Sequence, residues 1–515
     1  MRARAKPANL SSRHPRLGVK GSTMPVTSAS FFRLFTAAER TLAPRWAWMA
    51  AIGVLAAIQL TLIWSHQAWA DEYQALLIAT EASNQSELFA WLRYEGHPPA
   101  WYWLLQAVAL FVPFALILPA AATLCAALVQ CAILFASPFN RAERLLLASS
   151  QYFLFEFLTI SRGTTLGAAL VTLGLVLWRS RWLWLIMALL PMVDFLFGVI
   201  SGVFLVLKWR EKDLWWPGVF VWLAGSVFAG WSVIPPADMV SASEAMNMQS
   251  NVFSWFSKMG SLPLPFQGGI SPQWNTPVTP IANFAWIGML WLCWELTRPN
   301  VWHRLGVLGF FGLTLAFSLV VYPIGLRHLM LGSLLLMALV WLQRAASLPS
   351  PPRSTMAWQI WLVVLSISGL ATSVISTSRG FDRGGDVVAE INRLGLTDKR
   401  WIALPEWRTP AITGRSKIAF ERLGEDCSFR FVRWDHAYDA LASSEALTAA
   451  LGADIAANGR GYLLSDMDFN GFDPDLIAPL AHVERGYNGI DYNIYVIGRN
   501  STEKPREPSR CHSTR

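Results

Sequence analysis

Two acids, Asp71 and Glu72, follow directly on the first long apolar run of the chain, and the segment Glu95-Gly96-His97-Pro98-Pro99 directly precedes the next. A carboxylate in such a place can take a proton from an attacking hydroxyl. A histidine or arginine beside it can offset charge growing on an anionic leaving group. Ionisable groups at the edge of a membrane are costly, so they are read first as a site. Further cations stand ready to join them: Arg162 after an apolar run, and Arg327-His328 at the mouth of a late one. Glu95, Glu156 and Tyr322 are candidates for support.

The elements that must position these residues follow from composition. The 515 residues are 54% hydrophobic and only 15% charged, with 27 Trp. Soluble domains carry about 25% charged residues, so the class is a mainly α, polytopic membrane protein with a polar C-terminal part. The tryptophans suit interfacial belts. The net charge of +8 calls for no nucleic acid, because nine Arg and Lys against one Glu fall within residues 1–45. That segment reads as a cytoplasmic leader, with Met24 as an alternative start; no cleavable apolar core follows it.

Apolar runs of spanning length cover about 46–65, 215–235, 281–297, 305–325, 328–343 and 357–376. Basic clusters at Lys208-Arg210-Lys212, Arg298-Arg304 and Arg344-Arg353 mark the inner side. The 66–98 loop, the 237–280 loop, Arg327-His328 and the tail then share the outer side. Between 98 and 208 an odd number of crossings is required. Runs 99–118, 120–137, 145–160, 163–178 and 183–207 satisfy it as five simple crossings, eleven spans in all, with Arg162 inside. Half-length helices around Asp194 satisfy it with Arg162 outside, and charge favours this second topology.

Within the 66–98 loop, Tyr73, Leu76, Leu77 and Thr80 repeat at helical spacing, as do Leu88, Trp91, Leu92 and Glu95. Two amphipathic helices lying on the membrane are predicted, with a break or cap at Asn84 or Ser86. The tail, 377–515, reads as a small α/β domain. Strands are predicted at 401–404, 429–432, 461–464 and 492–497, and helices at 387–394 and 445–457; the last fifteen residues are expected to be disordered. Cys427 and Cys511 could pair if the tail is outside the cytoplasm, while Cys125, Cys131 and Cys293 read as small hydrophobes.

Plainer readings compete. Asp71-Glu72 could simply end a helix, His97 could sit at the interface, Glu156 could pair structurally with Arg162, Asp194 reads as a turn residue, and Asp466, Asp468, Asp473 and Asp475 read as a solvated loop.

A basic N-terminus, one span, Asp71-Glu72, two amphipathic helices and then His97-Pro98-Pro99-Ala100-Trp101-Tyr102 resemble the opening of the GT-C superfamily of integral-membrane glycosyltransferases. The stretch Gln151 to Arg162 is similar to an aromatic-acid-then-arginine motif of bacterial members, and Tyr322 to His328 to a late-helix motif. The resemblance implies a bacterial inner-membrane enzyme with a cytoplasmic N-terminus and a periplasmic tail. It would move a sugar from a polyprenyl-phosphate donor to a lipid, glycan or protein acceptor. Asp71 would be the base with Glu72 as partner; His97, Arg162, Arg327 and His328 would bind the donor phosphate. The second outer loop has no Asp-x-Asp, so a metal is not indicated. A transporter or flippase of lipid-linked sugars and a non-catalytic membrane scaffold are the rival readings.

Overall fold

The computed structural model describes residues 26–239, 248–264, 282–321, 324–435, 444–504 and 508–511. The expected support residue Tyr322 lies outside them. The chain opens with α1 (Val26–Leu42) and α2 (Arg45–Ser65). The 21 residues of α2 hold no acid, and at about 1.5 Å per residue they match a hydrocarbon core.

Helices α3 (Ala70–Glu81) and α4 (Gln85–Glu95) form where the spacing predicts them, and Asn84 caps α4 by accepting the Glu87 N–H at 3.0 Å. α3 is buried along most of its length, between α5 (Ala100–Ala109) and the tail. α5 has 10 residues, about half the length a crossing needs. Gln106 of α5 donates to the Ala79 carbonyl at 3.0 Å, and Trp103 to Gln85 Oε1 at 2.8 Å, which holds α5 beside α3 and α4. The predicted span 99–118 is therefore not one.

α6 (Ile117–Cys131) extends through turns at both ends, and α7 (Arg141–Ala148) is short. Gln151–Glu156 is then a π-helix in place of the predicted 145–160 span. Such a turn leaves carbonyls unpaired, which lipid cannot satisfy. Two buried amides meet that demand: Gln59 Nε2 donates to the Leu154 carbonyl at 3.1 Å, and Gln130 Nε2 to the Ala148 and Phe153 carbonyls at 3.1 and 3.3 Å. The bundle continues with α8 (Gly163–Val176), α9 (Trp182–Leu189), α10 (Phe195–Arg210) and α11 (Trp216–Ser232). It closes with α12 (Met248–Gly260), α13 (Ala282–Leu296), α14 (Val301–Val320), α15 (Leu326–Ala345) and α16 (Pro352–Arg379). α12 was not foreseen; Trp255 and Met259 seat it in the bundle core.

Among the described residues, five helical stretches are long and apolar enough to cross a membrane, and two more are apolar but shorter. The protein is mainly helical and multi-pass. The count of eleven is not reproduced on length, because the middle of the bundle is built from short pieces.

The tail is a distinct β-containing unit with α17 (Gly384–Arg393), β1 (Trp401–Leu404), α18 (Pro410–Thr413), β2 (Phe420–Glu421) and β3 (Cys427–Phe429). It ends with α19 (Ser444–Asn458), β4 (Gly461–Ser465), β5 (Ile477–Val483), β6 (Tyr492–Ile497) and β7 (Ser509–Arg510). The sheet order is β5-β6-β4-β1-β2-β3-β7, with β1 parallel to both neighbours and Trp401 to Leu404 aligned with Tyr462 to Ser465. Trp401 and Ala403 face Val387 and Ile391, while Ile402 faces Leu447 and Leu451. Both faces of β1 are thus covered, which is why it reads as an unbroken apolar run. The predicted strand 429–432 is displaced: β3 ends at Phe429, and the following loop docks on the bundle. β5 was missed. Residues 508–511 are placed where disorder is expected, since β7 pairs with β3 and Cys511 is disulfide-bonded to Cys427.

Candidate active site

The site is built around the first turn of α3. Glu72, expected beside Asp71 as a catalytic partner, is fully buried. Its Oε2 meets His66 Nε2 at 2.9 Å and accepts the Trp69 N–H at 3.0 Å, and its Oε1 accepts the Ser161 N–H at 2.6 Å. Glu72 is therefore turned away from the opening. It ties the start of α3 to the residue that precedes Arg162, and a buried charge with this many donors is satisfied in place.

Asp71 points the other way. Its Oδ2 lies 2.9 Å from Arg162 Nη2 in an ion pair and accepts a hydrogen bond from Arg327 Nη1 at 2.8 Å. Arg162 comes from the chain just before α8, held there by Thr165 Oγ1, which accepts its N–H at 3.2 Å. The contact puts Arg162 on the same side as Asp71, so the topology with five simple crossings and an inner Arg162 is overturned in favour of the half-length one. Arg327 lies in the first turn of α15, where the helix dipole opposes a cation. A placement against that field fits a functional role better than a capping one. The three side chains remain 35%, 17% and 23% exposed, so solvent reaches them. Asp71 Oδ1 makes no hydrogen bond among the described residues. Burial alone would raise the Asp71 pKa, but Arg162 and Arg327 outweigh it and hold the carboxyl below its ordinary value.

His97 stands 3.6 Å from Asp194 through Nδ1 and Oδ2 and is 41% exposed on its side chain. Asp194, read from the sequence as a turn residue, caps α10 by accepting the Leu196 N–H at 2.8 Å and at the same time faces His97. His328 Nδ1 accepts the Gly325 N–H at 3.2 Å, so that nitrogen closes the first turn of α15 and is not available to a phosphate. Glu156 is buried, forms no ion pair with Arg162 among the described residues, and leaves Oε2 without a hydrogen-bond partner. The expected structural pairing of Glu156 with Arg162 is thus absent.

Glu95 belongs more closely to the site than a support residue would. Its Oε1 accepts from Gln74 Nε2 at 2.8 Å. Gln74 also brackets the Val432 peptide of the tail, donating to its carbonyl at 2.8 Å and accepting its N–H at 2.9 Å. Trp434 adds a hydrogen bond to Glu95. Burial pushes the Glu95 carboxyl up to about 7; His97 and the Gln74 bond lower it, Asp71 raises it, and the Trp434 bond lowers it.

Gln74 and the tail loop that meets it were missed by sequence reasoning. One signal was there: Asp71 and Gln74 are three apart, on one face of α3. The tail grips this helix elsewhere too. Arg415 Nη2 donates to the Ala68 carbonyl at 2.6 Å, and its guanidinium lies 4.8 Å from the centre of the Tyr73 ring. Gly414 presses on the same ring; a Cβ there would stand 2.0 Å from Tyr73 Cδ1.

No family model and no curated protein sequence matches the chain. Among solved structures it is similar to ArnT from Cupriavidus metallidurans in the apo state, with 11% identity over 88% of this chain and 99% of that one, at a TM-score of 0.49. The same protein bound to undecaprenyl phosphate gives 12% identity over 88% and 98%, at a TM-score of 0.46.

Proposed function

We propose that the chain is a GT-C-like glycosyltransferase of a bacterial inner membrane, moving a sugar from a polyprenyl-phosphate donor to an acceptor at the periplasmic face. The observation that carries this reading is Asp71 Oδ2 pinned between two guanidinium groups while Oδ1 accepts no hydrogen bond among the described residues. One carboxylate against two guanidinium groups leaves a surplus positive charge at headgroup depth, where a lipid phosphate would sit. The resemblance of His97 to Tyr102 and its setting to the GT-C opening points the same way.

In the reaction, an acceptor hydroxyl attacks the anomeric carbon and the bond from that carbon to the phosphate oxygen breaks. The bonding pair goes to the phosphate, whose charge Arg162 and Arg327 offset, and the hydroxyl proton goes to Asp71 Oδ1. When the phosphate draws the guanidinium groups to itself, Asp71 becomes more basic, so donor binding readies the base. Glu72 positions Asp71 and Arg162 together. His97, steadied by Asp194, faces the same mouth, and His328 shapes the start of α15. No step calls on a metal.

The chain would pass the membrane an odd number of times. The basic leader is then cytoplasmic and the tail periplasmic.

The test uses the full-length protein in liposomes with polyprenyl-phosphate sugars, comparing wild type with Asp71→Asn and Arg327→Ala. Loss of transfer at normal expression is expected. Unchanged transfer in Asp71→Asn removes the base, and translocation of the donor without transfer turns the reading to a flippase.

A further inference from the structure

At the carboxyl ends of the parallel strands β1 and β4, the chain places Glu406, Trp407 and Arg408 beside Asp466 and Met467. In α/β sheets this end is where ligands bind. Trp407 is 41% exposed. Its ring centre lies 6.2 Å from that of Trp434, with 46° between the planes, and 5.6 Å from the Arg408 guanidinium. Arg408 Nε donates to Asp466 Oδ2 at 2.7 Å, and both side chains keep 20% exposure. Trp434 in turn hydrogen-bonds Glu95, the acid that Gln74 of the Asp71 helix holds at 2.8 Å.

We propose that the tail carries a saccharide-binding subsite formed by Trp407, Trp434 and the Arg408–Asp466 pair. A pyranose offers a flat face of polarised C–H bonds, which suits the electron-rich face of an indole. Its neighbouring hydroxyls both donate and accept, which suits a carboxylate and a guanidinium held side by side. An acyl chain would meet charged groups here. The subsite rests on the transferase reading only in making its saccharide the acceptor: the acceptor is then a glycan or glycolipid, held by the tail while its hydroxyl reaches Asp71.

The test is retention of full-length protein in detergent on an immobilised panel of neutral and acidic hexose and N-acetylhexosamine oligomers, with unglycosylated peptides alongside. Wild type should retain saccharides of the panel and no peptide. Trp407→Ala should bind at least tenfold more weakly, and Trp407→Phe should keep part of the affinity. Asp466→Asn provides a second variant should Trp407→Ala fail to fold, with the same direction of change. No saccharide retained, equal retention by variants that melt like wild type, or retention of peptides instead would overturn the subsite. A failed transferase reading shows separately, as bound saccharide without sugar transfer.

Discussion

The bundle and the tail both bring arginines to carboxylates, but in opposite proportions. In the tail, Arg400 is shared by Glu421 and Asp454, and Arg422 by Glu406 and Asp435. Both guanidinium groups are only 5% exposed. Each cation there meets two carboxylates, and the networks face inward. In the bundle, one carboxylate serves two arginines, and all three groups reach solvent. The number of ion pairs does not separate a brace from a site. Between these two groups the ratio of cations to anions differs, and so does the access of water.

The comparison breaks first at Asp71. Asp71→Asn should lower transfer by about 10²- to 10⁴-fold, the range for a lost general base, with the melting temperature held; a matching fall in thermal stability would make Asp71 another brace. Arg422→Leu should do the reverse. Removing one partner of a buried pair costs about 3–5 kcal/mol, read as a lower melting temperature with transfer by the surviving folded fraction unchanged. Arg327→Ala should raise the KM for the donor by roughly 10- to 100-fold, as expected for a charge-assisted bond of about 1.5–3 kcal/mol, and an effect on the acceptor KM instead would misplace the phosphate.

The smallest effect concerns Glu95. With its pKa raised from 4.5 to about 7, Glu95 stays protonated when folded over a range where the unfolded chain has lost that proton. The stability it contributes is therefore full below about pH 4.5 and lost as pH rises through about 7. Above that point a new negative charge stands near Asp71 and works against an anionic donor. Transfer should decline across this limb, and Glu95→Gln should flatten it. A limb unchanged in Glu95→Gln would assign it to another group.

Much of this was legible in the chain. Acids and cations in a composition so poor in charge are conspicuous, and Asp71, Arg162 and Arg327 meet as the sequence reading anticipated. Glu72 was misread because two adjacent residues on a helix point about 100° apart, and only the fold shows which one looks outward. The 99–118 and 145–160 runs were misread for a different reason. Apolarity says that a segment is buried but not whether lipid or protein buries it; protein buries the whole π-helix and four of the ten residues of α5. The contacts of Gln74 with Val432 join residues 358 apart in the chain, beyond the reach of any local pattern. β5 hides behind Pro479 and a bulge between Pro479 and Ala481.

The clasp of Gln74 on Val432 has a consequence for how such a protein can be altered. The helix bearing Asp71 is moored to the tail by a side chain that mimics a strand partner, so the two halves cannot be exchanged piecemeal. A chimaera carrying a foreign tail would keep every ionisable group of the pocket and still lose their alignment, unless the incoming loop offers an open peptide at that one spot.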